Sequence, residues 1–139
     1  MTDSRRPSEA IEAAPRCFAC GPENPIGLRI RFELDEAGHC RGRFTPGADH
    51  VGYADTVHGG IIYAALDDVM ANVLYLAGRK AHTARCEVRY REPLRVGETI
   101  SLEGWIDSER RRLVRLKGRA TRQSDGRLIA DCDASFMVI

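Results

Sequence analysis

The sequence predicts an α+β domain in which an antiparallel sheet of about six strands wraps around one long central helix. Two segments of alternating apolar and polar residues precede residue 46, one run with almost no polar face fills residues 61–77, and four more alternating segments follow it. Period-two alternation marks a half-buried strand, and a helix that is apolar nearly all round is a buried one. A helix covered on all sides by a single sheet requires that sheet to curl around it.

Residues 1–16, with Arg5, Arg6, Pro7 and Pro15 among small residues, read as a loosely held arm, and residues 17–139 as one domain. A chain of this length buries well over half the surface its unfolded form exposes, enough for a sizeable core. After the Gly- and Pro-rich stretch 21–27, Leu28, Ile30, Phe32 and Leu34 alternate with Arg29, Arg31, Glu33 and Asp35, which predicts a strand over 28–35. A return strand over 39–45 carries Cys40, Gly42 and Phe44 on one face. The Gly, Pro and Asp content of 46–57 makes it a loop. The helix that follows has Ile61, Ile62, Leu66, Val69, Met70, Val73 and Leu74 spread around it. Gly78 suits its C-terminal cap, and Arg79 and Lys80 suit the negative end of its dipole. Four strands follow, marked by Ala84-Cys86-Val88-Tyr90, Ile100-Leu102-Gly104-Ile106, Val114-Leu116-Gly118-Ala120 and Ala130-Cys132-Ala134-Phe136. In the last hairpin, a three-residue loop Ser124-Asp125-Gly126 with Gly126 left-handed pairs Arg119 with Asp131 and Lys117 with Asp133. A two-residue loop would set Arg119 opposite Cys132, so matched faces and opposite charges favour the first register.

Composition narrows the function. Twenty-one Lys and Arg against twenty Asp and Glu leave a formal charge of +1, too little for a field that recruits nucleic acid or an anionic membrane. Residues 1–16 carry no apolar core of signal-peptide length, and no stretch reaches the roughly 18 apolar residues of a spanning helix. The expected compartment is the cytoplasm. Five cysteines, an odd number with three on apolar strand faces, do not make a secreted disulfide framework. Cys17 and Cys20 form a CxxC. A tetrahedral zinc needs about four ligands, and neither a second CxxC nor a His pair is present, so a structural loop and no metal are expected.

Two features carry chemistry. Val57-His58-Gly59-Gly60 opens the buried helix, where the first backbone N–H groups lie unpartnered at the positive dipole end. Glycine allows a ligand close to that backbone, an arrangement suited to the developing oxyanion of acyl transfer. Asp67 and Asp68 lie inside the apolar helix, where an unpartnered carboxylate costs several kcal/mol. Asn72, four residues on, offers Asp68 a polar partner. Asp67 has Tyr63, Ala64, Met70 and Ala71 at the neighbouring helical positions and is the better candidate for a base of raised pKa or a nucleophile.

The segment VHGGIIYAALDD, with Asp67 nine residues after His58, resembles the signature of the PaaI-like hotdog-fold acyl-CoA thioesterases. The similarity continues through HTARCEVRYREP, residues 82–93, and CFACGPENPIGL, residues 17–28, resembles the N-terminal segment of a subset of that family. The resemblance implies a hotdog fold, Asp67 as the catalytic carboxylate, Gly59 as the oxyanion-hole N–H and Thr83 as the group that positions the attacking water. Many members carry an Asn or Gln six residues before the His, where this chain has Gly52, so the second oxyanion donor falls on His50, Tyr53 or His58, with Gly60 also at the substrate. Coenzyme A needs cations for its phosphates, for which Arg91 and the Arg110-Arg111-Arg112 turn are candidates. CoA belongs to the substrate, and no separate cofactor is implied.

Helix geometry adds an assembly. Gly59 and Asp67 are eight residues apart on one helix, so their backbones differ by about 12 Å along its axis, and one carbonyl cannot lie within ~3 Å of both. The acid must serve an oxyanion site on another chain, which predicts a homodimer with its sites at the interface, or a dimer of such dimers. The alternatives are a non-catalytic acyl-CoA-binding module and a hotdog enoyl-CoA hydratase. Ile61, Ile62, Tyr63 and Met70 suit aryl or alkyl acyl chains equally.

Overall fold

The computed structural model describes residues 13–139. Of the expected arm, residues 1–12 lie outside the described part. Within the remainder, the Pro15 and Arg16 carbonyls accept hydrogen bonds from Glu23 N–H and the Asn24 side-chain amide.

Among the described residues, six strands and one α-helix follow in chain order: β1 (Glu33–Leu34), β2 (Cys40–Phe44), α1 (Gly59–Tyr75), β3 (Ala81–Tyr90), β4 (Ile100–Arg110), β5 (Leu113–Arg122) and β6 (Leu128–Val138), with a single 3-10 turn at Ala48–His50 before α1. The strands form one antiparallel sheet in the order β1-β2-β4-β5-β6-β3. α1 packs against β2, β3, β4, β5 and β6. The core lies between them: Leu66, Val69, Met70 and Val73 from the helix meet Leu102, Leu116, Cys132 and Phe136 from the sheet. The helix sits close because Gly104 and Gly118 face each other across β4 and β5. A Cβ on Gly104 would lie 3.0 Å from Val69 O, and one on Gly118 3.2 Å from Met70 Cγ. This is the expected fold class.

The predicted register of the last hairpin holds: Arg119 faces Asp131 and Lys117 faces Asp133. Its turn does not keep that count. Ile129 is an extra residue, because Ala120 pairs with Ala130 but Thr121 pairs with Leu128, and the loop closes through Arg122 N–H to Arg127 O and Gly126 N–H to Arg122 O. Gly126 is left-handed as expected, at φ 73°. The helix ends as Gly78 implied: Gly78, at φ 80°, gives its N–H to Tyr75 O and Arg79 gives its N–H to Leu74 O, the paired bonds of a Schellman ending.

The strand expected over 28–35 is a correction. Its burial alternates, with Leu28 and Ile30 buried, but only Glu33–Leu34 joins the sheet. Arg29 has φ 54°, a left-handed conformation that breaks a ladder. Leu28 and Ile30 instead give their N–H groups to Phe18 O and Ala19 O, which ties the cysteine-bearing segment to the domain.

Candidate active site

α1 presents its functional residues toward β3, the edge strand of the sheet. The N-terminus of the helix is almost fully satisfied from within the chain. The His58 side chain caps it, with Nδ1 accepting Gly60 N–H at 2.8 Å, and His58 O accepts the N–H groups of Ile61 and Ile62. Among the described residues, Gly59 N–H is the first-turn donor left without a partner. Gly59 O is fixed by the Tyr90 hydroxyl at 2.8 Å. The helix therefore ends in one aimed donor rather than an open rosette.

Two turns on, Asp67 is half-buried, and its Oδ1 accepts the Thr83 hydroxyl at 2.7 Å. Burial pushes its carboxyl above the ordinary carboxylate range; the Thr83 hydrogen bond pulls the other way and loses. The Thr83 contact depends on an irregularity in β3. Thr83 pairs with Phe136 and Arg85 with Ser135, so Ala84 is an extra, bulged residue. With the bulge, Thr83 falls on the face of Cys86, Val88 and Tyr90. Without it, alternation would turn Thr83 away from the helix. The sequence put Ala84 on that face, because its alternation runs through Ala84 and Cys86 without a break.

The structure brings Asp67 and Thr83 together, and His58, Gly59 and Gly60 together, at two ends of one run of helix. It gives His58 and Gly60 a capping bond to each other. His50 Nδ1 accepts Gly47 N–H at 2.9 Å, its ring packs on Phe44, and its carbonyl accepts His58 N–H; it props the loop before the helix. Tyr53 is 87% exposed and meets none of these groups. Arg91 forks onto Asp131, its Nη2 3.2 Å from both carboxylate oxygens, and the Arg110–Arg112 segment forms the β4–β5 turn. The sequence pointed to Tyr63, beside Asp67 and the acyl chain, but not to Tyr90. Tyr90 holds Gly59, and Tyr63 lies between Asp67 and Cys86, its phenol raised by burial and then by the Asp67 charge. Tyr90's place on the inner face of the last β3 residues was the available signal.

Asp68 has the predicted partner: the Asn72 amide donates to its Oδ2 at 3.1 Å. It also has partners that sequence could not supply. Cys17 Sγ lies 3.7 Å and 3.9 Å from its two oxygens, and Cys17, Cys20 and Asp68 each place a donor atom within 4.8 Å of the others. Burial pushes Asp68 up to about 7, while the Cys20 thiol and the backbone N–H groups of Cys20 and Ala19, all pointing at Cys17 Sγ, lower Cys17 to about 5. The expectation of no metal rested on a CxxC without partners, and that premise is corrected: 51 residues along the chain, Asp68 is one.

The sequence profile of the thioesterase superfamily matches residues 54–129, more than half of the chain. Similar solved structures include a thioesterase superfamily protein at 27% identity and TM-score 0.79, which covers 89% of this chain; this chain spans only 62% of that one. A hypothetical thioesterase from Streptococcus pneumoniae TIGR4, solved with coenzyme A, is 17% identical at TM-score 0.73, with 79% of this chain and 85% of that one covered. The same protein has been solved with an aspartate replaced by alanine and with a threonine, sixteen positions further on, replaced by alanine. The E. coli PaaI protein from the phenylacetic acid degradation operon is 17% identical at TM-score 0.74, with 81% and 80% covered. No curated protein matches the chain. Among the described residues no helix is long and apolar enough to cross a membrane.

Proposed function

The chain belongs to the thioesterase superfamily and has its hotdog fold, and from that premise we propose that it hydrolyses an acyl-CoA to the free acid and CoA. The observation that carries the reading is the Thr83–Asp67 pair: a half-buried carboxylate of raised pKa, on an otherwise apolar helix, held by one hydroxyl at 2.7 Å. A carboxylate so placed is costly to the fold and useful to chemistry. Asp67 and Thr83 are sixteen residues apart, the separation of the aspartate and threonine replaced in the S. pneumoniae protein. That protein's coenzyme A, and the acetyl-CoA on a Streptococcus mutans structure of the same fold, support the substrate class.

The thioester oxygen takes its hydrogen bond from Gly59 N–H, which has no other partner among the described residues. Asp67 then either attacks the carbonyl carbon, forming an anhydride that water cleaves, or removes a proton from a water steadied by Thr83. In both routes the carbonyl regains its double bond as CoA thiolate leaves.

Because both residues lie on one unbroken helix, about 12 Å apart along its axis, a site combines Gly59 of one chain with Asp67 of another. β3 supplies the surface for that pairing. It is an edge strand of ten residues, and an uncovered edge of that length is a template for a second chain. The protein thus works as a homodimer, or as a pair of them, in the cytoplasm. We assign His50 and Gly60 to the substrate's surroundings through the loop and the helix cap they hold, and Tyr53 and Arg91 through their exposed side chains. The test is a panel of aryl and alkyl acyl-CoAs followed by release of free thiol. Turnover of at least one is expected. Tight binding without thiol release from any would favour a binding module, and hydration of a 2-enoyl-CoA without thiol release would favour a hydratase.

A further inference from the structure

The side-chain cluster at the far flank of α1 has no part in the thioesterase reading. Cys17 and Cys20 lie in a tight turn closed by Gly21 N–H to Cys17 O at 2.8 Å. The turn tolerates only glycine at its end, because a Cβ on Gly21 would lie 2.3 Å from Cys17 N and 2.5 Å from Pro15 O. Its backbone turns the N–H groups of Ala19 and Cys20 onto Cys17 Sγ. Opposite it, the Asp68 carboxylate is fixed by Asn72, whose amide gives hydrogen bonds to Asp68 Oδ2 at 3.1 Å and Asp68 O at 2.9 Å and lies 3.9 Å from Cys20 Sγ. Among the described residues Asn72 is the buried polar residue of the domain, 6% exposed.

We propose that Cys17 Sγ, Cys20 Sγ and one Asp68 oxygen bind a single thiophilic divalent cation, zinc by preference, with solvent in the fourth position. The spacing fits. With Zn–S near 2.3 Å and Zn–O near 2.1 Å, the edges of a tetrahedron are about 3.8 Å between sulfurs and about 3.6 Å from sulfur to oxygen. The distances from Cys17 Sγ to the two Asp68 oxygens are 3.7 Å and 3.9 Å, and all three donors lie within 4.8 Å of one another. Closure needs the widest of these separations to shorten by about 1 Å at most. The donor set selects the ion, since two thiolates favour zinc over magnesium or calcium. The surroundings are those of a supported site. Asn72 orients the carboxylate, and backbone N–H groups stabilise a thiolate. A redox dithiol would form an S–S bond and leave a carboxylate aimed at its sulfurs with no use, whereas a cation uses all three groups. On binding, any proton still held by a thiol or by the Asp68 carboxyl passes to solvent as that atom becomes a ligand. The ion would clamp the segment around residue 17 to the helix one residue from Asp67.

The probe is Co2+ added anaerobically to the reduced, metal-free, full-length protein, followed by absorption and then by displacement with Zn2+. One equivalent per chain is expected, with sulfur-to-cobalt charge-transfer bands and tetrahedral ligand-field bands that Zn2+ abolishes. Zn2+ should also protect two thiols of the unmutated protein from a thiol reagent, a readout that needs no variant to fold. Cys17→Ser and Cys20→Ser should lose the bands, Asp68→Ala should weaken affinity at least ~10-fold, and Cys86→Ser should change nothing. Absence of the bands at one equivalent, bands retained in Cys17→Ser, affinity unchanged in Asp68→Ala, or a Cys17–Cys20 disulfide that forms equally with and without Zn2+ would each overturn the proposal.

Discussion

Asp67 and Asp68 are chemically identical neighbours on one helix, and their surroundings divide the work between them. Asp67 faces the sheet edge with one hydroxyl partner; Asp68 faces Asn72 and the two cysteines. Asp67→Asn should therefore lower kcat by on the order of a hundredfold or more, the scale of a lost general base or nucleophile, and Asp68→Asn much less. Steady-state kinetics on the best acyl-CoA decides it; the reverse ranking would mean that the helix presents its other flank to the substrate. Thr83→Ala should lower kcat more than it changes KM, because its hydroxyl holds the reacting carboxylate or water rather than the acyl chain. An unchanged kcat would remove Thr83 from the mechanism.

The elements show how far pattern carries. The last hairpin was legible because two independent signals agreed, matched apolar faces and the pairing of Arg119 and Lys117 with Asp131 and Asp133. Residues 28–32 were misread because alternation reports burial and not pairing, and a left-handed Arg29 leaves no mark on the pattern. The Ala84 bulge was invisible for the same reason: alanine suits either face, so the alternation did not turn Thr83 inward, and only the resemblance put it at the site. The contact between Cys17 and Asp68 spans 51 residues and follows only once the N-terminal segment is placed against α1. Two outcomes test the elements themselves. Gly104→Ala would press a methyl group to 3.0 Å from the Val69 carbonyl, which should cost about 1–3 kcal/mol by overpacking, seen as a lower Tm; an unchanged Tm would mean that α1 rides higher over β4. Asp133 is held below the usual carboxylate range by Lys117 Nζ at 2.6 Å and then by Arg89 Nη2 at 2.7 Å. A carboxyl whose folded-state pKa is depressed stabilises the fold above its unfolded value, near 3.9, and loses that contribution as the pH falls through the folded value. Asp133→Asn should slightly lower Tm at pH 7, since these pairs are screened by solvent, and the gap should shrink steadily as the pH falls below about 4. A gap that persists there would assign the effect to shape rather than charge.

At the scale of the whole molecule, the site rests on a distance. Gly59 N–H and Asp67 are the two groups an acyl-transfer site needs, and one rigid helix keeps them apart. The decisive measurement mixes two inactive proteins, Asp67→Asn and Gly59→Pro, under conditions that exchange subunits. Proline is tolerated at the first position of a helix and removes the N–H under test, its Cβ would meet Tyr90 at the ordinary contact distance of 3.4 Å, and His58, extended at ψ 134°, already has the conformation a residue before proline requires. A mixed dimer carries one intact site, with Gly59 from the first protein and Asp67 from the second. Thiol release from acyl-CoA should reappear on mixing, in proportion to the hybrid seen by native mass. If the hybrid forms and no activity returns, the two groups do not act across chains, and the proposed site is wrong.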